Sequence, residues 1–122
     1  LHGDGATRRS YLYGSDVASW LLRILVDGQD GEVYNLGGAR PVSHAEVADM
    51  VAMRTAPTPR LVYKSQPAAT GRRHDFFPNL DNVQSKLGLR QALEVEDAID
   101  RAMQWHAKRL GVMRRLRQES PS

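Results

Sequence analysis

The side chains able to do chemistry in this 122-residue chain are few in kind. There is no Cys, which excludes disulfides and every thiolate site, whether zinc, iron–sulfur or nucleophile. His2, His44, His74 and His106 are scattered, with no metal-ligand spacing and no paired carboxylate, so neither a metal centre nor an acid–base pair is indicated. No glycine-rich strand-to-helix turn is followed by an acidic residue about 20 positions on, the arrangement that cradles a dinucleotide. What remains is cationic: Arg8 and Arg9 in a Gly-rich opening stretch, and Arg72, Arg73 and His74 in a polar loop. A guanidinium presents paired N–H donors in a fixed fork that matches phosphate oxygens. On residue type alone, Arg9 reads as a surface loop arginine.

The charge balance decides whether a polyanion is the partner. The sequence pI is about 9.6, yet residues 1–107 hold 12 basic and 13 acidic side chains, a net of −1. Residues 108–122 hold Lys108, Arg109, Arg114, Arg115 and Arg117 against Glu119, a net of +4. The body is balanced and does not by itself attract nucleic acid. The tail reads as a basic helix end followed by a disordered Ser-Pro-Ser terminus.

The elements that must carry these arginines follow from pattern. Composition is ordinary for a globular protein, and the length suits one domain with one modest core. The apolar stretch from Trp20 to Val26 is interrupted by Arg23, far short of the roughly 20 residues of a membrane span. The absence of Cys fits a cytoplasmic protein. The first residue is Leu, which fits removal of an initiator or a piece of something longer, and no secretory pattern opens the chain.

Residues 1–14 read as a loop leading into a short strand or extended segment. A helix follows, with Ser15 or Asp16 as N-cap, Val17, Trp20, Leu21, Ile24 and Leu25 on one face, and Gly28 as a left-handed C-cap. Residues 32–36 alternate and are rich in β-formers, predicting a short strand that ends at Gly37 and Gly38. Ser43 and Glu46 have capping-box spacing and open a helix that buries Val47, Met50 and Val51 and stops before Pro57. Residues 61–64 predict a further strand. A turn of helix runs from about residue 80 to 87 and ends at Gly88. A long helix starts near Val95 and buries Val95, Ala98, Ile99, Ala102, Met103 and Leu110. Three main helices with two or three short strands give an α+β pattern or a fragment of an α/β fold.

Order and spacing then add a pattern that composition lacks. Gly3-Asp4-Gly5, Arg9, Tyr13 and Asp16 are followed by Tyr34-Asn35-Leu36-Gly37-Gly38, the Ser43 helix, Phe76-Phe77-Pro78-Asn79, and Met103-Gln104-Trp105 near the end of the last helix. In this order the blocks resemble the C-terminal, substrate-binding portion of the extended short-chain dehydrogenase/reductase family, the NAD-dependent nucleotide-sugar epimerases and dehydratases. The resemblance runs from about Leu1 to His106. It implies a small substrate-binding subdomain of a Rossmann-type enzyme, at residues 1–107, with the Rossmann domain absent from this chain. It implies that Arg9 contacts the diphosphate of a nucleotide sugar, with Arg73 and Arg72 as a second basic contact and Ser43 and Asn35 as lesser candidates. Tyr13 and Asp16 are expected to hold the loop and helix start.

The same resemblance makes some absences informative. The family's proton-transferring Tyr-x-x-x-Lys pair is missing, because the residues four positions after Tyr11, Tyr13, Tyr34 and Tyr63 are Ser15, Val17, Gly38 and Pro67. The chain is therefore expected to be catalytically silent alone, to bind no NAD or NADP by itself, and to need an N-terminal Rossmann domain as partner. Two other readings stay open at this point: a stand-alone scaffold or interaction domain that has lost the ligand, and a nucleic-acid-binding module acting through the basic tail.

Overall fold

The computed structural model describes residues 4–63 and 75–119, with side chains as far as residue 111. Two strands and four helices follow in the order β1 (Arg8–Ser10), α1 (Gly14–Asp27), β2 (Pro41–Ser43), α2 (His44–Met53), α3 (Asp81–Leu87) and α4 (Val95–Glu119). The expected helices are all present. The strands are not where the alternation placed them. Residues 32–36 and 61–63 join no ladder among the described residues, and Lys64 lies outside them. The ladder is instead antiparallel between β1 and β2, with Arg8 opposite Ser43, Arg9 opposite Val42 and Ser10 opposite Pro41. Three polar residues form a strand here because backbone pairing, not side-chain alternation, holds them.

The core lies between α1 and α3. Trp20, Leu80 and Val83 are buried together, and Leu12, Ile24, Tyr34, Leu36, Leu87 and Leu89 pack against them. Fully burying side chains of this size contributes about 1.5–3 kcal/mol each. The inward face of α1 is narrower than its periodicity predicts: Trp20 is buried and Val17 and Ile24 half-buried, whereas Leu21 and Leu25 are exposed. In α2, Val47 and Met50 are half-buried and Val51 is on the exposed side; in α4, Val95 is buried, Ala98, Ile99 and Met103 are half-buried, and Ala102 and Leu110 are exposed. Two ion pairs fasten α4 to the rest, Arg54 with Asp100 and Arg40 with Glu96.

Helix ends explain two further departures. Tyr13, without a side-chain cap, precedes α1, so Ser15 and Asp16 fall inside the first turn rather than capping it. Gly28 closes α1 through its N–H on the Ile24 carbonyl, but in an extended conformation, φ −65° and ψ 143°. The left-handed residue comes three positions later: Gly31 has φ +79°, in a turn closed by the Glu32 N–H on the Gln29 carbonyl. Gly88, by contrast, ends α3 in the left-handed region as expected. Among the described residues no helix is long and apolar enough to cross a membrane.

Candidate functional site

Arg9 sits in the middle of β1, and β1 is clasped on both edges. On one side Val42 of β2, fully buried, is its register partner. On the other, the chain returning at Asp75 and Phe76 docks in parallel: Arg9 bridges to Phe76, the Phe76 N–H donates to the Arg8 carbonyl at 3.2 Å, and the Arg8 N–H donates to Asp75 Oδ1 at 2.9 Å. A strand held from both sides fixes the direction of its side chains. Arg9 is half-buried, and its Nη1 donates to the Arg8 carbonyl at 3.0 Å. Arg8 is exposed, and its Nη2 donates to the Pro41 carbonyl at 3.1 Å.

Ser43, opposite Arg8, begins α2 with a complete capping box. Its Oγ accepts from the Glu46 N–H at 3.1 Å, and its N–H donates to Glu46 Oε2 at 2.6 Å. That second bond is the largest cause holding the Glu46 carboxyl below the usual carboxylate range, with the Ser43 side chain and the Arg8 and Arg40 charges adding to it. The remaining amides of the first turn are also taken: the His44 N–H donates to the Thr7 carbonyl at 3.1 Å and the Ala45 N–H to the Gly5 carbonyl at 2.9 Å. The helix start that could have met an anion is thus closed by the opening loop. Only glycine fits that loop at position 5, where φ is +73° and an added Cβ would come 2.8 Å from the Tyr63 ring and 3.1 Å from Ala45 Cβ.

The other sequence-predicted blocks converge on the same strand. Gly38 is buried, and its carbonyl accepts from Ser10 Oγ at 2.9 Å; a Cβ on Gly38 would run into the Tyr11 carbonyl. Asn35 donates through Nδ2 to the Asn79 carbonyl at 3.0 Å, tying the 34–38 stretch to the 76–79 stretch. Arg72, Arg73 and His74 lie outside the described residues. Of the predicted site residues, then, the fold brings Arg9 and Ser43 to adjacent register positions and links Asn35 to the segment that docks on Arg9.

Asp16 has a reach that local pattern did not reveal. It is 5% exposed, and its Oδ2 accepts from the Ala92 and Leu93 N–H groups at 3.0 and 3.3 Å. A carboxylate in the first turn of α1 thereby anchors the loop that leads into α4. The sequence pointed to Asp16 through its place after Arg9 and Tyr13 in the ordered pattern, as a residue that holds the helix start, but not to its partners at positions 92 and 93. Two cavities of about 350 and 210 Å³ flank Tyr11 along α2. Their walls are apolar side chains such as Val47, Leu61, Val95 and Ile99, which suits burial of hydrocarbon better than phosphate. Among the described residues no cluster of three or more His, Asp or Glu side chains could hold a metal ion.

No family model matches the chain. Individual relatives do. Over 108 residues it is 26% identical to a dTDP-glucose 4,6-dehydratase of Streptomyces niveus, covering 87% of this chain and 31% of that protein. Over 108 residues it is 30% identical to an Arabidopsis thaliana trifunctional UDP-glucose 4,6-dehydratase, UDP-4-keto-6-deoxy-D-glucose 3,5-epimerase and UDP-4-keto-L-rhamnose reductase, covering 88% of this chain and 16% of that protein. Among solved structures, MoeE5 in complex with UDP-glucuronic acid and NAD superposes with a TM-score of 0.73 at 26% identity, over 88% of this chain and 36% of that one. The chain spans about a third or less of the length of these proteins.

Proposed function

Since the chain is homologous to a part of the NAD-dependent nucleotide-sugar dehydratases and epimerases, we propose that it is the portion of such an enzyme that grips the nucleoside diphosphate of the sugar substrate. The observation that carries this reading is Arg9, half-buried on a strand clasped from both edges. A guanidinium so positioned needs little further ordering to accept a diphosphate through its paired donors. Arg73 and Arg72 belong to the same clamp; Arg73 stands two residues before Asp75, whose carboxylate is docked on β1. Ser43, opposite Arg8 in the ladder, is a lesser contact, its hydroxyl accepting from the Glu46 N–H and carrying one donor proton of its own. Asn35 is another, through the second N–H of the amide whose Nδ2 already donates to the Asn79 carbonyl.

The nicotinamide cofactor seen in homologous structures does not fit the residues described here. The amides that open α2 are all engaged by this chain, and α1 starts after Tyr13 with no glycine-rich turn from a strand. In the proposed enzyme, hydride chemistry is assigned to cofactor-binding polypeptide outside these residues. The task of this chain is to fix the diphosphate, and through it the sugar, so that binding energy from the remote phosphate orients the reacting carbon.

The test is isothermal titration of the chain with UDP and with uridine. UDP is expected to bind weakly, since half a cleft supplies half the contacts, and uridine more weakly still. A charge-assisted hydrogen bond is worth about 1.5–3 kcal/mol, so Arg9→Ala should weaken UDP binding by roughly 10- to 150-fold, and Arg9→Lys by less. Equal affinity for UDP and uridine, or an Arg9→Ala variant that binds UDP as before, contradicts the proposal.

A further inference from the structure

Helix α4 outruns the core it packs on. Val95 is buried and Ala98, Ile99 and Met103 are half-buried, but every residue from Gln104 to Leu110 is exposed, and the helix continues to Glu119. At about 1.5 Å per residue, roughly 24 Å of helix follows Met103. The family resemblance stops near His106, so most of this stretch lies beyond what that resemblance explains.

Its charge has one sign. Residues 101–118 hold Arg101, Lys108, Arg109, Arg114, Arg115 and Arg117 and not one Asp or Glu. With the rest of the chain balanced, its positive excess is gathered on a single rod. The helix turn orders that charge. Positions 101, 108 and 115 recur every seventh residue, so they form one row along α4 that drifts by about 20° per step. Positions 112 and 116, Val and Leu, fall within about 20° of Trp105 and form an apolar row beside it. Arg109, about 40° from Trp105 in the other direction, borders that row on its far side. A hydrocarbon stripe is thus flanked by cations on both edges.

The described side chains fit the same pattern. Trp105 is 54% and Leu110 62% exposed. The Arg109 guanidinium lies over the Trp105 ring, 5.2 Å from its centroid, and the His106 ring meets Trp105 edge-on at 4.8 Å. An indole beside basic side chains is suited to a boundary that is apolar on one side and charged on the other. A polynucleotide backbone would engage the cations and leave the apolar row unused, and the Trp105 face occupied by Arg109 is not open for a base to stack on. We infer that the second half of α4 is an amphipathic helix that docks the chain on an anionic phospholipid surface, with Trp105 at the acyl boundary and the row begun by Arg101 and Lys108 on the headgroup phosphates. It lies on the bilayer rather than across it, since no described helix is long and apolar enough to span. The inference uses none of the residues assigned to the diphosphate and stands apart from that reading.

The test titrates the whole chain with vesicles of phosphatidylglycerol and phosphatidylcholine in equal parts, and with phosphatidylcholine alone, following Trp emission. Trp20 is only 2% exposed, so the change reports on Trp105, and Trp105→Phe identifies its signal. On the anionic vesicles the emission is expected to shift to the blue and to be quenched by acyl-brominated lipid. Binding should be at least tenfold weaker on phosphatidylcholine alone and should weaken with added salt. The triple substitution Arg101→Gln, Lys108→Gln and Arg115→Gln should weaken binding to the anionic vesicles roughly 100-fold, at about fivefold per basic residue. The unfolding midpoint should stay unchanged, because Arg101 and Lys108 are exposed. No binding, equal binding to both kinds of vesicle, or binding without quenching of Trp105 overturns the inference. A DNA duplex of about 20 base pairs that binds more tightly than the anionic vesicles overturns it in favour of a polynucleotide. Association of the chain with itself that shields Trp105 in the absence of lipid overturns it in favour of a second copy.

Discussion

Removing the buried Asp16 carboxylate should loosen the joint between α1 and the loop that leads into α4. Oδ2 alone accepts both the Ala92 and Leu93 amides, at 3.0 and 3.3 Å. A hydrogen bond to a charged group contributes about 1.5–3 kcal/mol, but the second bond is long and Ala92 is exposed, so water recovers part of the loss. The expected cost of Asp16→Ala is about 2–3 kcal/mol. For a domain of about 100 residues that corresponds to a fall in Tm of roughly 10–20 °C. Asp16→Asn keeps an oxygen in the same place and loses chiefly the charge assistance, so about half the cost is expected. Urea denaturation followed by far-UV circular dichroism gives the stabilities, and amide exchange at Ala92 and Leu93 gives the local effect. An alanine variant within about 0.5 kcal/mol of the parent, with exchange at those two amides unchanged, refutes the reasoning.

Three further outcomes follow from the same geometry. Glu46 has its carboxyl held below the usual range by the Ser43 amide, Glu32 by Lys86 and Asn82, and Glu96 first by its own amide. A carboxyl depressed in the folded state adds stability that is present above its unfolded pKa and lost as pH falls through the folded one. Urea midpoints should therefore drop as pH falls below about 4, and Glu46→Gln should flatten that drop while raising amide exchange at residues 43–46. Gly38→Ala should destabilise by about 1–3 kcal/mol, the usual cost of overpacking, because its Cβ meets the Tyr11 backbone carbonyl, which cannot swing aside; a neutral result in urea denaturation counts against the packing described. Arg54→Ala should release the α4 start, seen as faster amide exchange near Asp100, since the Arg54 side chain bridges the Met50 carbonyl and the Asp100 carboxylate; unchanged exchange there removes the bridge from the account.

Helices were legible in the sequence because their signals are local. Ser43 and Glu46 sit three residues apart and make the whole capping box between themselves, and Gly88 stops α3 by its own backbone freedom. The strands were not, because pairing is a property of two segments. Arg8–Ser10 carries no alternation and becomes β1 through partners 33 and about 67 positions away, whereas residues 32–36 have the right alternation and find no mate among the described residues. The same holds at the site. Arg9 was singled out by the family resemblance that its order with Gly3, Tyr13 and Asp16 carries, whereas the clasp on its strand by Val42 and Phe76 is tertiary information. On α1 the spacing puts Leu21 and Leu25 on one face with Trp20 and Ile24, but how much of that face the core covers is set by packing, which leaves Leu21 and Leu25 exposed.

The claim that Arg9 takes the diphosphate is tested most directly by observing its guanidinium. With the side-chain Nε–H resonances assigned by single-site substitution, UDP titrated into the labelled chain should shift the Arg9 signal, leave that of Arg40, paired with Glu96, in place, and have no such effect when uridine is used instead. An Arg9 resonance that stays fixed while UDP shifts signals elsewhere contradicts the account.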